Sequence, residues 1–443
     1  MASLLPIQNG PSPGREIWLD GLRGFAAAIV AWFHFTNFGL KMPYRSFWDE
    51  PAEQNRHLIQ LAPFRIIFAG QAMVDIFFVV SGYSVSVGLI RLRNRGSTAD
   101  FYRKLTSAVF RRLFRLFFPV LIISIISHTL YYLGFYAWLF TAENGFPGCV
   151  PYSNPWPHVK WLLRAMFNIV NLQSNQNRTL NDHLWTIPVE MRGSMFVYLA
   201  IVAFASVRAN LRPFLTGFLG LRFLWTGSPE FAAFFAGLTL AELDGTTESL
   251  TLPHLVTMEK AMAQTTAKLQ RFRNPAKWAL FAMGVYFLCL PVQEPFPADW
   301  FFQTYINPPF WTEWETRMRS WQTIGAVLFI GTARKTPILK RPFETRFAQF
   351  LGEISFSLYL LHQTIYRIAL NRILDWVSWV FLGQGYWAAE KEENNAGHVV
   401  FFAWTVATLV IGSFLAVASK YMAKTVDKRS VALAHRVEKL CSP

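Results

Sequence analysis

Cysteine is nearly missing from this chain: there are three in 443 residues, Cys149, Cys289 and Cys441. They are far apart and form no CxxC pair, so their spacing encodes neither a disulfide framework nor a zinc site. Charge is thin as well, at 16% of residues, and acid is the scarcer sign, with 27 Asp and Glu against 42 Lys and Arg. A formal charge of +15 would suit a polyanion, but no nucleic-acid-binding motif accompanies it. The basic residues sit instead in short loops between apolar runs, where they suit an anionic membrane leaflet, and no nucleic-acid partner is expected. The stretch before Glu16 lacks the charged start and short apolar core of a cleavable signal peptide, so the first apolar run is expected to stay as a helix. No ligand spacing relates the histidines, so no metal is expected. No repeat relates the two halves.

Apolar and aromatic residues are abundant. The hydrophobic share is 53%, with 42 Phe and 17 Trp, a balance that belongs to bilayer-facing helices and interfacial belts. At roughly 20 mostly apolar residues per crossing, about ten spans are expected, near 18–38, 66–90, 112–136, 189–207, 212–227, 229–243, 276–292, 320–334, 347–370 and 398–420. The pair between 212 and 243 is short, and Gly227-Ser228-Pro229 marks it as a candidate broken or re-entrant unit. The stretch 250–275 reads as a loop holding an amphipathic helix. The fold class is all-α, a polytopic transmembrane helical bundle. Arg91, Arg93, Arg95, Arg103 and Lys104 precede the third span, and Arg334, Lys335, Lys340, Arg341 and Arg346 precede the ninth. The positive-inside bias puts these loops and both termini in the cytosol. The chain then divides into a cytosolic tail 1–15, a transmembrane domain 16–420 and a cytosolic tail 421–443. Asn177-Arg178-Thr179 is an N-glycosylation sequon in a loop expected on the other side.

Ionisable groups inside spans are costly against lipid and should face a protein interior or a wet cavity. Arg23 and His34 lie about three turns apart on nearly one face of the first span, roughly 16 Å along its axis. They read either as a snorkelling Arg with a His bonded to a backbone carbonyl, or as parts of a site. Asp75, deep in the second span, needs a cationic or hydrogen-bonding partner. Ser81-Gly82, just beyond it, allows close helix approach. Arg112 and Arg115 share a helix face at the cytosolic boundary, as membrane anchors or as a clamp for phosphates. The segment His183-Leu184-Trp185-Thr186 leads into Glu190, which the topology puts at the depth of His34. Those two could form a functional pair; an interfacial salt bridge is the alternative for Glu190. His362 also falls in an outer half-span, with Ser355, Ser357 and Tyr359 as hydrogen-bonding groups along the same helix.

These segments together resemble the acyltransferase-3 family of integral membrane O-acyltransferases, in its fungal-type, stand-alone form. The matching pieces, in order, are Leu19-Asp20-Gly21-Leu22-Arg23-Gly24 with His34, Asp75-Ile76-Phe77-Phe78-Val79-Val80-Ser81-Gly82, Arg112-x-x-Arg115, Trp185-Thr186-x-x-x-Glu190, and Ile354-Ser355-Phe356-Ser357-Leu358-Tyr359-Leu360-Leu361-His362. The resemblance covers roughly 15–370. Pro188 and Met191-Arg192-Gly193 depart from the family's pattern around Glu190. The resemblance implies ten transmembrane helices and an acyl-CoA co-substrate, most often acetyl-CoA, taken from the cytosol, with no permanently bound cofactor. It maps the catalytic histidine onto His34 and the paired arginines onto Arg112 and Arg115.

Joined to the reading of the residues, this gives a working mechanism. Arg112 and Arg115, with Arg23, hold the donor's phosphates. His34 acts as general base on a hydroxyl of a small metabolite, lipid or glycan, and Glu190 orients it. Asp20, Asp75, Ser81, Trp185, Ser355, Tyr359 and His362 supply supporting polar or structural contacts. No Ser, Cys or Thr is placed as a nucleophile, so direct transfer is expected. A transporter would also bury Arg, Asp, Glu and His along a pathway, and it is the competing class. Either protein would be multi-pass in the endoplasmic reticulum or plasma membrane.

Overall fold

Nothing in the second apolar run stops helix propagation: no proline falls in it, and one helix continues from Gly70 to Asn94. The computed structural model describes residues 16–37, 39–40, 42–136, 154–172, 180–250, 275–291, 306–386 and 397–441. The helices are α1 (Ile17–Thr36), α2 (Gly70–Asn94), α3 (Thr98–Tyr132), α4 (Pro155–Val170), α5 (Thr186–Ala203), α6 (Arg212–Trp225), α7 (Pro229–Leu250), α8 (Pro275–Leu288), α9 (Trp314–Ala333), α10 (Arg346–Leu382), α11 (Gly397–Met422) and α12 (Lys428–Cys441), joined by 3-10 turns and loops. Each expected span falls on one of them. By length and composition, four stretches among the described residues are apolar enough to cross a membrane: Gly70–Asn94, Thr98–Tyr132, Asp182–Ala203 and His398–Cys441.

The core is built around α2, which packs against α7, α1, α9 and α5. Its apolar window is 67% buried, against 28% in the stretch containing α11, so α2 is central and α11 peripheral. Ile76, Val79 and Val80 are buried there with Phe234 and Leu238 of α7. The seam is close because Gly82 faces the Phe234 carbonyl and Gly237 faces the Val79 carbonyl, and a Cβ on either would collide with backbone. A second such seam joins α1 to α10 in parallel, where Gly24 lies against Leu351 and Gly352. Small residues let helix backbones approach where apolar burial gives no drive to associate. Gly82→Val is therefore expected to cost about 1–3 kcal/mol or more by overpacking. Heated protein should leave the monodisperse peak in size exclusion several degrees below wild type. Gly412→Val is the control, since its Cβ meets nothing within 4 Å; equal melting of the two variants would refute the seam.

Basic and acidic groups gather at one end of the bundle. Arg93 at the end of α2 is buried against Glu242 of α7 at 2.6 Å. Arg212 reaches Asn94 at 3.0 Å, and Arg334 pairs with Asp244 at 2.5 Å. The start of α1 and the start of α10 meet at the same end.

Three features depart from the hydropathy reading. Helix α3 starts at Thr98, well before the apolar run near 112, because Thr98–Arg111 is helical but polar. The stretch expected as a C-terminal tail is helical to Cys441, and α12 packs along α3. Helix α4 lies in what reads as an aromatic-rich loop. Asn154 caps it by accepting from the Trp156 amide at 2.9 Å, and it buries His158 and Ile169 while exposing Trp156, Leu163 and Phe167. The sequon at Asn177 and the expected amphipathic helix within 250–275 lie outside the described residues, apart from the helix ends at Leu250 and Pro275.

Candidate active site

At the charged end, α1, α2, α3, α5 and α10 enclose a cavity of about 920 Å³. Arg23, Lys104, Arg111, Arg112, Arg115 and Lys428 line it, together with Glu16, Asp20, Glu190, Glu353 and Asp427. Arg112 donates to Ser81 Oγ at 3.1 Å and forms an ion pair with Glu190, whose carboxylate also accepts from Ser81. Glu190 thus takes Arg112 and Ser81 as its partners, not His34 as the sequence suggested. The physical reason is the length of α3. Starting at Thr98, it carries Arg112 about 21 Å along its axis, into the bundle at the level of Ser81, where hydropathy alone would leave it at the surface. Arg115 also lines the cavity, where Arg23, Arg112 and Asp427 are its electrostatic neighbours. One turn on, Pro119 lacks the N–H that would return to the Arg115 carbonyl. Arg23 sits 3.9 Å from Asp20 and 3.5 Å from Ser84.

The cavity ends at Thr186 and Tyr359, whose hydroxyls are 2.6 Å apart. Tyr359 also donates to the His183 carbonyl at 2.6 Å. Directly behind stand three imidazoles. The His34 ring centroid lies 5.2 Å from His362 and 6.4 Å from His183, and the latter two are 4.5 Å apart. The Gln363 amide nitrogen is 3.3 Å from His34 Nδ1. His34 itself is not part of the cavity lining. The parallel packing of α1 and α10 brings His34 and His362 together. His183 arrives on the 3-10 turn Asp182–Trp185 that leads into α5, and Arg367 of α10 holds that turn through Asp182 at 3.3 Å. His183 and Gln363 were missed as site residues. The first was marked only by standing two residues before Trp185, and the second only by following His362. Among the described residues, no group of three or more His, Cys, Asp or Glu is arranged to hold a metal ion.

The arginine-lined cavity and the imidazoles thus stand next to one another. A family model described as an acyltransferase domain, Acyl_transf_3, matches residues 16–418. The chain belongs to the acyltransferase-3 family. It is similar to Acyltransferase R4 of a Phoma species, at 25% identity over 97% of each chain. It is also similar to Acyltransferase clz18 of Cochliobolus lunatus, at 24% over 96% of each. O-acetyltransferase PaAT-1 of Phomopsis amygdali is 27% identical over 78% of this chain and 71% of its own. No solved structure matches.

The remaining polar residues of this acyltransferase lie partly in the cavity wall and partly outside it. Ser355 lines the cavity and donates to the Gly352 carbonyl at 2.9 Å. Asp75 is fully buried and accepts from Thr323 at 2.9 Å. Its expected partner is thus a hydroxyl on α9. One turn earlier on α9, Arg319 pairs with Glu230 at 3.1 Å and lies 4.4 Å over the Trp185 ring. That cation–π contact gives Trp185 a structural place, holding the entry to α5 against α9.

As placed, the Gln363 amide nitrogen faces His34 Nδ1, so Nδ1 accepts and the imidazole proton is on Nε2; the flipped amide would accept from Nδ1–H and leave Nε2 unprotonated. Gln363→Glu fixes that orientation and should retain at least about half of wild-type turnover, whereas Gln363→Leu should lose about tenfold or more. Steady-state turnover of the two purified variants checks this; equal losses would remove Gln363 from the site.

Proposed function

We propose that this acyltransferase moves an acyl group, acetyl in the first instance, from acyl-CoA to a hydroxyl of a small metabolite. The observation that carries the reading is the histidine cluster packed against Tyr359, at the edge of an arginine-lined cavity. Arg112 and Arg115, with Arg23, take the donor's phosphates, a task suited to the guanidinium fork. The pantetheine arm follows α2 from Gly88 toward Val74, about 21 Å of helix, and brings the thioester to Tyr359 and Thr186. Acyl-CoA serves as co-substrate, with no permanently bound cofactor.

His34 takes the proton from the acceptor hydroxyl, whose oxygen attacks the thioester carbonyl. The C–S bond breaks, and the imidazolium returns its proton to the CoA thiolate. Gln363 holds the His34 tautomer, and His183 and His362 wall the imidazole off from lipid. Acetyl and hydroxyl are favoured because one relative carries the name O-acetyltransferase. A small metabolite of secondary metabolism is favoured because the three relatives are fungal. With ten spans and the charged end in the cytosol, by the positive-inside bias, the donor enters from the cytosol. The bundle then sits in the endoplasmic reticulum or plasma membrane, with Asn177 on the far side.

The test supplies purified protein with acetyl-CoA and a pool of hydroxylated metabolites, and follows free CoA and acylated products by mass spectrometry. Acceptor-dependent CoA release with a matching ester is the expected result. Saturable solute uptake into vesicles with no ester from any pool would replace this reading with a transporter.

A further inference from the structure

The acidic side chains of the donor cavity need an explanation, because a carboxylate repels a phosphate. Glu190 is accounted for by Arg112 and Ser81. Asp427 is not accounted for in this way. It ends a π-helical turn, Ala423–Asp427, between α11 and α12. This turn lies beyond residue 418, where the family match stops. π turns concentrate at functional sites. One carboxylate oxygen of Asp427 accepts from Ser357 at 2.9 Å, and the other is buried with no hydrogen-bond partner. Ser430 fastens the turn by donating to the Asp427 carbonyl at 2.7 Å. Asp427, Lys428 and Val431 all line the cavity.

Arg112 and Arg115 stand together on α3, with Arg111 beside them and Arg23 on α1. Lys104 is two turns lower on α3, about 12 Å away along its axis, and Lys428 is on α12. Ala108, Gly88 and Val431 line the same cavity, and Asp427 is an electrostatic neighbour of Arg115. A ligand with anionic groups and, beside them, a body that carries O–H and N–H donors fits these residues. Coenzyme A has both: a diphosphate and a 3′-phosphate on one ribose, whose 2′-hydroxyl and adenine amine are donors.

Resting on the acyl-CoA reading above, we propose that the π turn and the first turn of α12 form the nucleoside subsite of the donor cavity. Asp427 accepts a hydrogen bond from the adenosine, and Val431 covers it.

The test is equilibrium binding to the full-length protein in nanodiscs of three probes: CoA, adenosine 3′,5′-bisphosphate and phosphopantetheine. Asp427→Ala should weaken the first two about tenfold, the scale of one hydrogen bond to a charged group, and leave phosphopantetheine unchanged. Ser357→Ala, which frees the Asp427 side chain, should give a smaller loss with the same selectivity, and it carries the test should Asp427→Ala fail to accumulate. Equal weakening of all three probes, or no weakening, overturns the subsite while leaving the donor cavity in place. Wild-type protein that binds neither CoA nor phosphopantetheine overturns the donor cavity itself, and the subsite with it.

Discussion

His34→Ala is expected to lower acyl transfer by about 10²–10⁴-fold, the usual contribution of a positioned general base. CoA affinity should stay at the wild-type value, because His34 stands behind Tyr359 and Thr186 and contributes nothing to the cavity wall. That separation makes the prediction sharp. Single-turnover transfer and equilibrium CoA binding, measured on the same preparation, should part company. A variant that loses both together would place His34 in the structure of the pocket, not in its chemistry. One that keeps more than about a tenth of the wild-type rate would fall outside that range and remove it from the mechanism.

The second large effect concerns Arg112. Its side chain is 16% exposed and that of Glu190 18%, so removing the guanidinium leaves a carboxylate largely cut off from water. Breaking such a pair costs about 3–5 kcal/mol, and Arg112→Ala should accumulate poorly and melt early. Arg112→Ala combined with Glu190→Ala removes both charges and should recover most of that stability. CoA binding should not recover with it. Arg112→Lys separates charge from geometry: it keeps the ion pair, yet loses the fork that grips a phosphate, so CoA affinity should fall while the melting temperature holds. A double variant that binds CoA like wild type would refute the clamp.

Much of this was legible in the sequence, in proportion to how local the physics is. The apolar runs mark the helices because a lipid-facing or fully buried helix has to be apolar along its length. Helix α2 is the clear case. Helix α12 and the first turns of α3 were not legible, since both are amphipathic and charged, and their apolar stripes face each other across a gap of some 300 residues in the chain. The error over Glu190 has the same origin. Hydropathy trimmed α3 to its apolar part, moved Arg112 to the surface and left Glu190 to be matched with His34 by depth. His34 and His362 each stood out as imidazoles inside a span. That they face one another depends on the parallel packing of α1 and α10, which no local pattern reports.

The α1–α10 seam also bears on how the protein is made. Gln363 follows His34 by 329 residues. At a synthesis rate of roughly 5–20 residues per second, α1 waits some tens of seconds for the helix that completes its site. Through that interval Arg23 and His34 stand on α1 without α10 to cover them. A chaperone that shelters α1 should therefore limit the yield of active enzyme. Supplying residues 1–336 and 337–443 as two co-expressed pieces should show whether the seam can still close after both halves have been inserted.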